Sequence, residues 1–142
     1  MKIIGFNFTK ISAEKKKNKM NKPSLNVEIK FTDLEKEKVD FLKSDDAIKI
    51  SFRHLLNYKD PDAKKEELLG EVNIEGNIVI TTEKEESKEI FKTWKKKNLP
   101  NQLTISLNNF ILKKCSPKTL QLQDELNLPT HIPIPRISPK NN

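Results

Sequence analysis

The chain has 142 residues, of which 35% are apolar and 33% charged, and it carries a net charge of +7 at pH 7. This length and apolar content suit one domain of ordinary size and exclude a disordered chain. No run approaches the roughly 18–20 consecutive apolar residues of a membrane span, and the first residues are too few and too alternating for a signal peptide. The single cysteine, Cys115, excludes an internal disulfide and, without a signal peptide, favours the cytosol.

Apolar residues alternate along four segments in the first half of the chain, which predicts four β-strands. The first covers residues 2–11, with Ile4, Phe6 and Phe8 on one face. The second has the cleanest alternation and predicts a sheet that is covered on one side only; its apolar positions are Leu25, Val27, Ile29 and Phe31. The third and fourth cover residues 47–58 and 67–81.

The connections between these strands carry their own signals. A charged segment with a small apolar cluster, at Val39, Phe41 and Leu42, joins the second and third strands. The run Asp60-Pro61-Asp62 predicts the turn of a hairpin between the third and fourth. Gly76 predicts a bulge or kink within the fourth strand.

From Thr82 onward the pattern changes to that of helices. Thr82 and Glu85 have the spacing of a capping box, and the break at Leu99-Pro100 predicts the start of a second helix. Ser116-Pro117 predicts a third helix. The second predicted helix has apolar residues at the 3.6-residue period, namely Leu103, Leu107, Phe110 and Ile111.

Strands followed by helices predict an α+β fold, in which a four-stranded antiparallel sheet has C-terminal helices packed on one face. We expect a single domain over residues 1–128. Four of the eight prolines lie beyond Leu128, which predicts an extended proline-rich arm over residues 129–142.

The residues that catalysis or metal binding would need are scarce. His54 and His131 are far apart in the sequence and show no metal-ligand spacing, and three scattered glycines form no phosphate-binding loop. Cys115 has no histidine nearby in the sequence, so we interpret it as a small buried hydrophobe. We therefore expect no enzyme, no catalytic residue, no metal and no cofactor.

The positive charge comes almost entirely from lysine. Lysine and arginine total 27 against 20 acidic residues, and only Arg53 and Arg136 are arginines. Base and phosphate recognition favour the planar fork of arginine over lysine. We interpret the excess as a solvated surface that binds nucleic acid weakly, without specificity and in a salt-dependent way.

The helical half offers more apolar positions than one face of a sheet requires. Six residues lie outside the predicted stripes: Ile105, Leu112, Leu120, Leu128, Ile132 and Ile134. Large exposed apolar patches usually mark an interface. We therefore expect an oligomer seam, a groove for other polypeptides, or both.

Several of these features together resemble the SecB-like chaperone family. The element order is similar, and so are the fourth strand at residues 70–80, with its central glycine, the break at Leu99-Pro100 and the proline-containing tail at residues 126–133. The chain also resembles small uncharacterised archaeal proteins, on Trp94-Lys95-Lys96, Leu99-Pro100 and residues 109–115 and 128–136.

The SecB-like resemblance implies a cytosolic, ATP-independent chaperone that holds non-native polypeptides in apolar grooves, often as a dimer or tetramer. Export chaperones of that family are acidic, whereas this chain is basic, so a general holding role or a dedicated partner, as in a toxin–antitoxin system, fits as well as protein transport. The client-binding residues that we predict near such a groove are Ile50, Phe52, Leu103, Leu107, Phe110 and Ile111.

Two other interpretations stay open. One is a basic module that binds nucleic acid or the ribosome, which predicts steeply salt-dependent binding. The other is a small-ligand site between sheet and helices, which predicts one deep, enclosed cavity.

Overall fold

The alternating segments of the first half form one four-stranded antiparallel sheet, as predicted. The structure is a computed structural model that describes residues 1–39, 44–62 and 67–140. Phe41 and Leu42 of the predicted apolar cluster lie outside these residues. The strands are β1 (Lys2–Lys15), β2 (Ser24–Glu37), β3 (Asp46–Lys59) and β4 (Leu68–Thr82), in the sheet order β1-β4-β3-β2. The two edges of the sheet are therefore β1 and β2.

The two central strands bury every second side chain on one face, which we call the inner face. On β3 and β4 the buried apolar residues of this face are Ile48, Ile50, Phe52, Leu56, Tyr58, Val72, Ile74, Ile78 and Ile80. The hairpin between the strands begins as predicted, because the amide of Asp62 donates to Oδ1 of Asp60 at 2.9 Å. These strands form the centre of the core.

Gly76 serves close packing and is not the site of a bulge. Strand β4 runs through Gly76 without interruption, and the extra residue of the adjacent bulge is Thr9 on β1. A Cβ atom at Gly76 would lie 2.4 Å from the carbonyl oxygen of Asn7 and 3.0 Å from Cζ of Phe52. Only glycine leaves room for the Phe52 ring to cross the strand there.

A second bulge in β1 corrects the predicted face of that strand. Ile3 pairs with buried Ile80, and Ile4 is the extra residue between Ile3 and Gly5. Ile3 therefore packs against the core together with Phe6 and Phe8, whereas Ile4 is 39% exposed. Adjacent apolar residues made the register ambiguous in the sequence, because a one-residue shift exchanges the two faces.

Two helices follow the sheet, and their apolar positions complete the core of the inner face. They are α1 (Lys84–Trp94) and α2 (Asn101–Leu126). The predicted capping box is wrong: Thr82 is still part of β4, paired with Asp46, and α1 begins after Glu83 without a side-chain cap.

The predicted third helix is also wrong, because α2 continues through Pro117 as one helix of 26 residues. Its buried residues recur every four positions on both sides of the proline, at Leu103, Leu107, Ile111, Cys115, Thr119 and Gln123. Pro117 itself is exposed, so its ring faces away from the core. Continuous packing of the buried side outweighs the missing proline N–H.

The C-terminus of α2 is closed by Asn127 in the left-handed conformation. The amides of Asn127 and Leu128 donate to the carbonyls of Asp124 and Gln123, at 3.3 and 2.8 Å, which is the Schellman pattern. Leu128, expected to be a stray exposed residue, is instead buried in the core. Residues 129–140 form neither helix nor strand.

Candidate functional site

The six residues predicted to bind clients lie in the same core, but most of them are inaccessible. Phe110 is half-buried, and its ring lies 5.5 Å from that of Phe6. The other five are buried in the described structure: Ile50, Phe52, Leu103, Leu107 and Ile111. A client could not reach these five without displacing the helices.

Both edges of the inner face are accessible: Ile11 on β1, which pairs with buried Ile74, is 41% exposed, and the apolar side of β2 is open as well. The helices make their main contacts with β1, β3 and β4, so β2 is only partly covered. Val27 is 38% exposed, although its partner Leu56 on β3 is fully buried. Ile29 and Phe31 are half-buried in the same way. The predicted one-sided apolar face of β2 is thus present, but it is left open at the edge of the sheet.

An open groove of about 770 Å³ lies beside this part of β2. We call it the β2 groove; its lining residues are Ile29, Lys30, Phe31, Lys97, Asn98, Leu99, Asn101, Thr104 and Asn108. One side is the edge strand, and the other is the turn after α1 with the first turns of α2. The groove is open to solvent, unlike the enclosed cavity that a small-ligand site predicts.

The helix side of the β2 groove supplies polar groups. Oδ1 of Asn108 is buried and has no hydrogen-bond partner among the described residues. Thr104 is already engaged, since its hydroxyl lies 3.1 Å from the carbonyl of Pro100. An unpaired buried acceptor is unfavourable until a donor reaches it, so Asn108 is a position where a bound chain could donate.

The apolar period of α2 predicts its buried stripe, but not the polar residues beside it that line the groove. Asn101, Thr104 and Asn108 follow one another at spacings of three and four residues, which places them on one side of a helix. This spacing indicates that the three residues share one face of a helix. It does not show whether that face borders a groove or faces solvent.

A second, smaller depression of about 270 Å³ lies further along β2, and its lining includes Lys36, Lys88, Phe91, Lys92 and Lys95. The ammonium of Lys36 lies 3.5 Å from Asp46 and 5.8 Å from the centre of the Phe91 ring. At the β2 groove, Nζ of Lys97 lies 5.3 Å from the Trp94 ring. Positive charge therefore borders both depressions.

The two histidines come closer together than the sequence suggested. His54 is fully buried on β3, and neither of its ring nitrogens has a partner in the described structure. Burial, and next the proximity of His131, lower the pKa of His54; burial lowers the pKa of His131. Both rings are therefore neutral at physiological pH.

Cys115 is fully buried in α2, as predicted. Burial raises the pKa of its thiol to about 12, so it carries almost no thiolate at neutral pH and is a poor nucleophile. Within the ranges that the structure describes, no three His, Cys, Asp or Glu side chains come together in a way that could hold a metal ion. In the same ranges, no helix is long and apolar enough to cross a membrane.

Comparison with known proteins gives a structural match only. The chain is similar to the SecB-like chaperone Rv1957 of Mycobacterium tuberculosis, solved in complex with a ChAD peptide from the Rv1956 HigA1 antitoxin. The TM-score is 0.53 at 12% identity, over 98% of this chain and 92% of that one. No family model and no curated protein matches the chain, so the resemblance to small archaeal proteins has no support from them. The fold, four antiparallel strands followed by two helices, is that of this SecB-like neighbour.

Proposed function

We propose that this protein binds extended segments of non-native polypeptides in the β2 groove, as a cytosolic, chaperone-like protein that uses neither ATP nor covalent chemistry. The observation that carries the proposal is the position of β2, an edge strand whose apolar face lies open beside a helix. The SecB-like neighbour, which was solved with a bound peptide, supports polypeptide binding as the use of such a fold.

The edge of β2 offers main-chain recognition. In the described structure, the backbone groups of β2 that point away from β3 pair with no other strand. A client segment that lies alongside β2 as an added strand would pair with them, and this kind of binding depends little on sequence. Every second client side chain would then point towards the groove.

The groove must also contribute apolar contacts, because ordering the client is costly. Fixing a backbone costs roughly 1–2 kcal/mol per residue, whereas a net hydrogen bond returns only about 0.5–1.5 kcal/mol. Burying an apolar side chain against Ile29, Phe31 and Leu99 contributes about 1.5–3 kcal/mol. Segments with alternating apolar residues are therefore the clients that this site favours.

Two neighbouring asparagines allow a matched test of the groove. Asn108 lines the groove, whereas Asn109 is exposed on α2 and does not. We expect Asn108→Phe to fill the groove and weaken binding of a labelled apolar peptide at least about tenfold, with parallel loss of aggregation suppression for a reduced model client. Asn109→Phe should change neither. Equal behaviour of the two variants, or no peptide binding by the unmodified protein, would refute the proposal.

We also propose that the protein self-associates as a dimer or tetramer through the exposed side of α2. Ile105 is 61% exposed and Leu112 is 38% exposed, and their separation of seven residues places them on the same side of the helix. Light scattering should show an oligomer that the variant Ile105→Lys/Leu112→Lys converts to a monomer. A monomeric unmodified protein at micromolar concentration would contradict this assembly.

A further inference from the structure

We infer that the β2 groove selects polypeptide segments in which apolar residues are flanked by aspartate or glutamate. This inference rests on the proposed function and names the class of client. It follows from the lysines that border both depressions along β2.

These lysines are concentrated at the end of α1. Residues 88–97 contain five lysines and one glutamate, Glu89. None of the five lysines forms an ion pair within the part of the chain that the structure describes. By contrast, lysines elsewhere on β2 and β3 pair with carboxylates, as Lys30 does with Glu28 at 3.3 Å and Lys49 with Glu35 at 3.4 Å.

The concentration of lysines at the end of α1 is unfavourable in the free protein. Lys88, Lys92 and the C-cap residue Lys95 follow one another at spacings of four and three residues along α1, where like charges repel across one turn of a helix. The helix dipole favours cations in the last turn only, and Lys88 lies in the first half of α1. Lys97 lies beyond the end of α1 and lines the groove. Carboxylates of a bound segment would relieve this repulsion where the charges are concentrated.

The spacing of the two depressions along β2 suits one bound client segment in extended conformation. Phe31 in the β2 groove and Lys36 in the second depression pair with Phe52 and Ile48, which are four residues apart on β3, because Thr32 is the extra residue of a bulge in β2. Four residues of a strand correspond to about 14 Å and return to the same face. A client strand paired with β2 would thus place apolar side chains near Phe31 and, about four residues away, acidic side chains near Lys92 and Lys95. A client that pairs with β2 in this way therefore has an apolar core with acidic residues beside it.

Nucleic acid fits the same surface less well. Single-strand binding uses aromatic faces on which bases stack, but Phe91 and Trp94 are half-buried and already have lysines over their rings. The cluster contains no arginine, the residue whose planar fork suits phosphate. Three apolar side chains line the groove, Ile29, Phe31 and Leu99, and they suit the side chains of a polypeptide.

The test uses three labelled peptides with one alternating apolar core, flanked by aspartate, glutamine or lysine. The fluorescence anisotropy of the peptide label gives the affinities, and the emission of Trp94, the single tryptophan of the protein, provides a second readout. We expect the affinity to decrease from the aspartate peptide to the glutamine peptide to the lysine peptide. At low salt, the first and last affinities should differ at least about tenfold. The gap should disappear at about 1 M salt, where the Debye length falls to about 3 Å.

A charge-reversal variant and a matched control complete the design. Lys92→Glu/Lys95→Glu/Lys97→Glu should invert the order of the peptides. Lys15→Glu/Lys16→Glu/Lys19→Glu changes the net charge equally at the opposite end of the sheet and should leave the order unchanged.

Three outcomes would overturn the inference: equal affinity for the aspartate and glutamine peptides, an order that survives charge reversal, or displacement of the aspartate peptide by a tighter-binding poly(dT) oligonucleotide. Equal binding of all three peptides would leave the proposed function standing, whereas no binding of any peptide would overturn both.

Discussion

Gln123 donates a hydrogen bond from Nε2 to the hydroxyl oxygen of Tyr58 at 2.7 Å, and both side chains are fully buried. Tyr58 in turn donates to the carbonyl of Pro129 at 2.5 Å, and Oε1 of Gln123 lies 3.2 Å from Nδ1 of His131. Strand β3, the end of α2 and the first residues after it are thus joined by one hydrogen-bond network, which is buried at Tyr58 and Gln123 and partly exposed at Pro129 and His131. This network fixes where the chain leaves the core.

Removal of the Tyr58 hydroxyl should destabilise the fold. Tyr58→Phe leaves the buried amide of Gln123 without its partner, and an unsatisfied buried group costs about 1–3 kcal/mol. We expect the free energy of unfolding, measured with denaturant, to fall by that amount. Tyr58→Phe/Gln123→Leu should recover part of the loss, because both partners of the buried bond are then apolar. Full stability of the single variant would show that the network contributes nothing.

His54 should make the protein sensitive to mild acid. Because its pKa is lowered in the folded chain, the unfolded chain takes up the proton first as the pH falls below about 6.5. This contribution to stability is complete above that pH and decreases as the pH falls towards the lowered pKa. Thermal unfolding experiments between about pH 7.5 and 5 measure the slope of stability against pH.

A variant isolates this contribution. His54→Leu removes a buried ring with two unpartnered nitrogens, so we expect it to raise the free energy of unfolding by about 1–3 kcal/mol and to flatten the slope. The slope should not vanish, because His131 also has a lowered pKa. An unchanged slope in the variant would contradict the assignment to His54.

Lys97 occupies a conformation that suits glycine better than lysine. Its φ is 62°, and the left-handed region costs a side chain roughly 1–2 kcal/mol. We expect Lys97→Gly to raise the free energy of unfolding by about 0.5 kcal/mol after the lost contact with Trp94 is counted, while it weakens binding of the aspartate-flanked peptide. Lys96→Gly, at an ordinary φ, should instead destabilise the protein by about 0.5–1 kcal/mol. If both variants changed the free energy of unfolding in the same direction, the assignment of strain to Lys97 would be wrong.

The strands could be predicted because burial on one side produces a two-residue period. The alternation of Leu25, Val27, Ile29 and Phe31 identified the inner face of β2 correctly, since all four pair with buried inner-face residues of β3. The face of Ile4 was predicted wrongly because a bulge depends on pairing with β4, which the local pattern of β1 does not contain. Pro117 predicts a helix start because its local effect is clear, whereas the packing of Cys115 and Thr119 that keeps α2 continuous is a tertiary effect.

The site was harder to predict than the fold. The apolar residues of α2 follow a helical period whether they fill a core or bind a client, so the sequence could not separate Leu107, which is fully buried, from an accessible residue. The β2 groove exists because the strand order leaves β2 at the edge while the helices lie mainly over the other strands. That order depends on long-range pairing, which no local pattern reveals.

Amide hydrogen exchange on the 142-residue chain, with and without an apolar peptide flanked by aspartate, shows whether a client pairs with β2. Since a client strand would pair with the free edge of β2, we expect new protection at alternate amides of residues 24–37, with the amides of the other edge strand, β1, unchanged. Protection confined to β1 or to the exposed side of α2, or no change anywhere at a saturating concentration of peptide, would contradict the account.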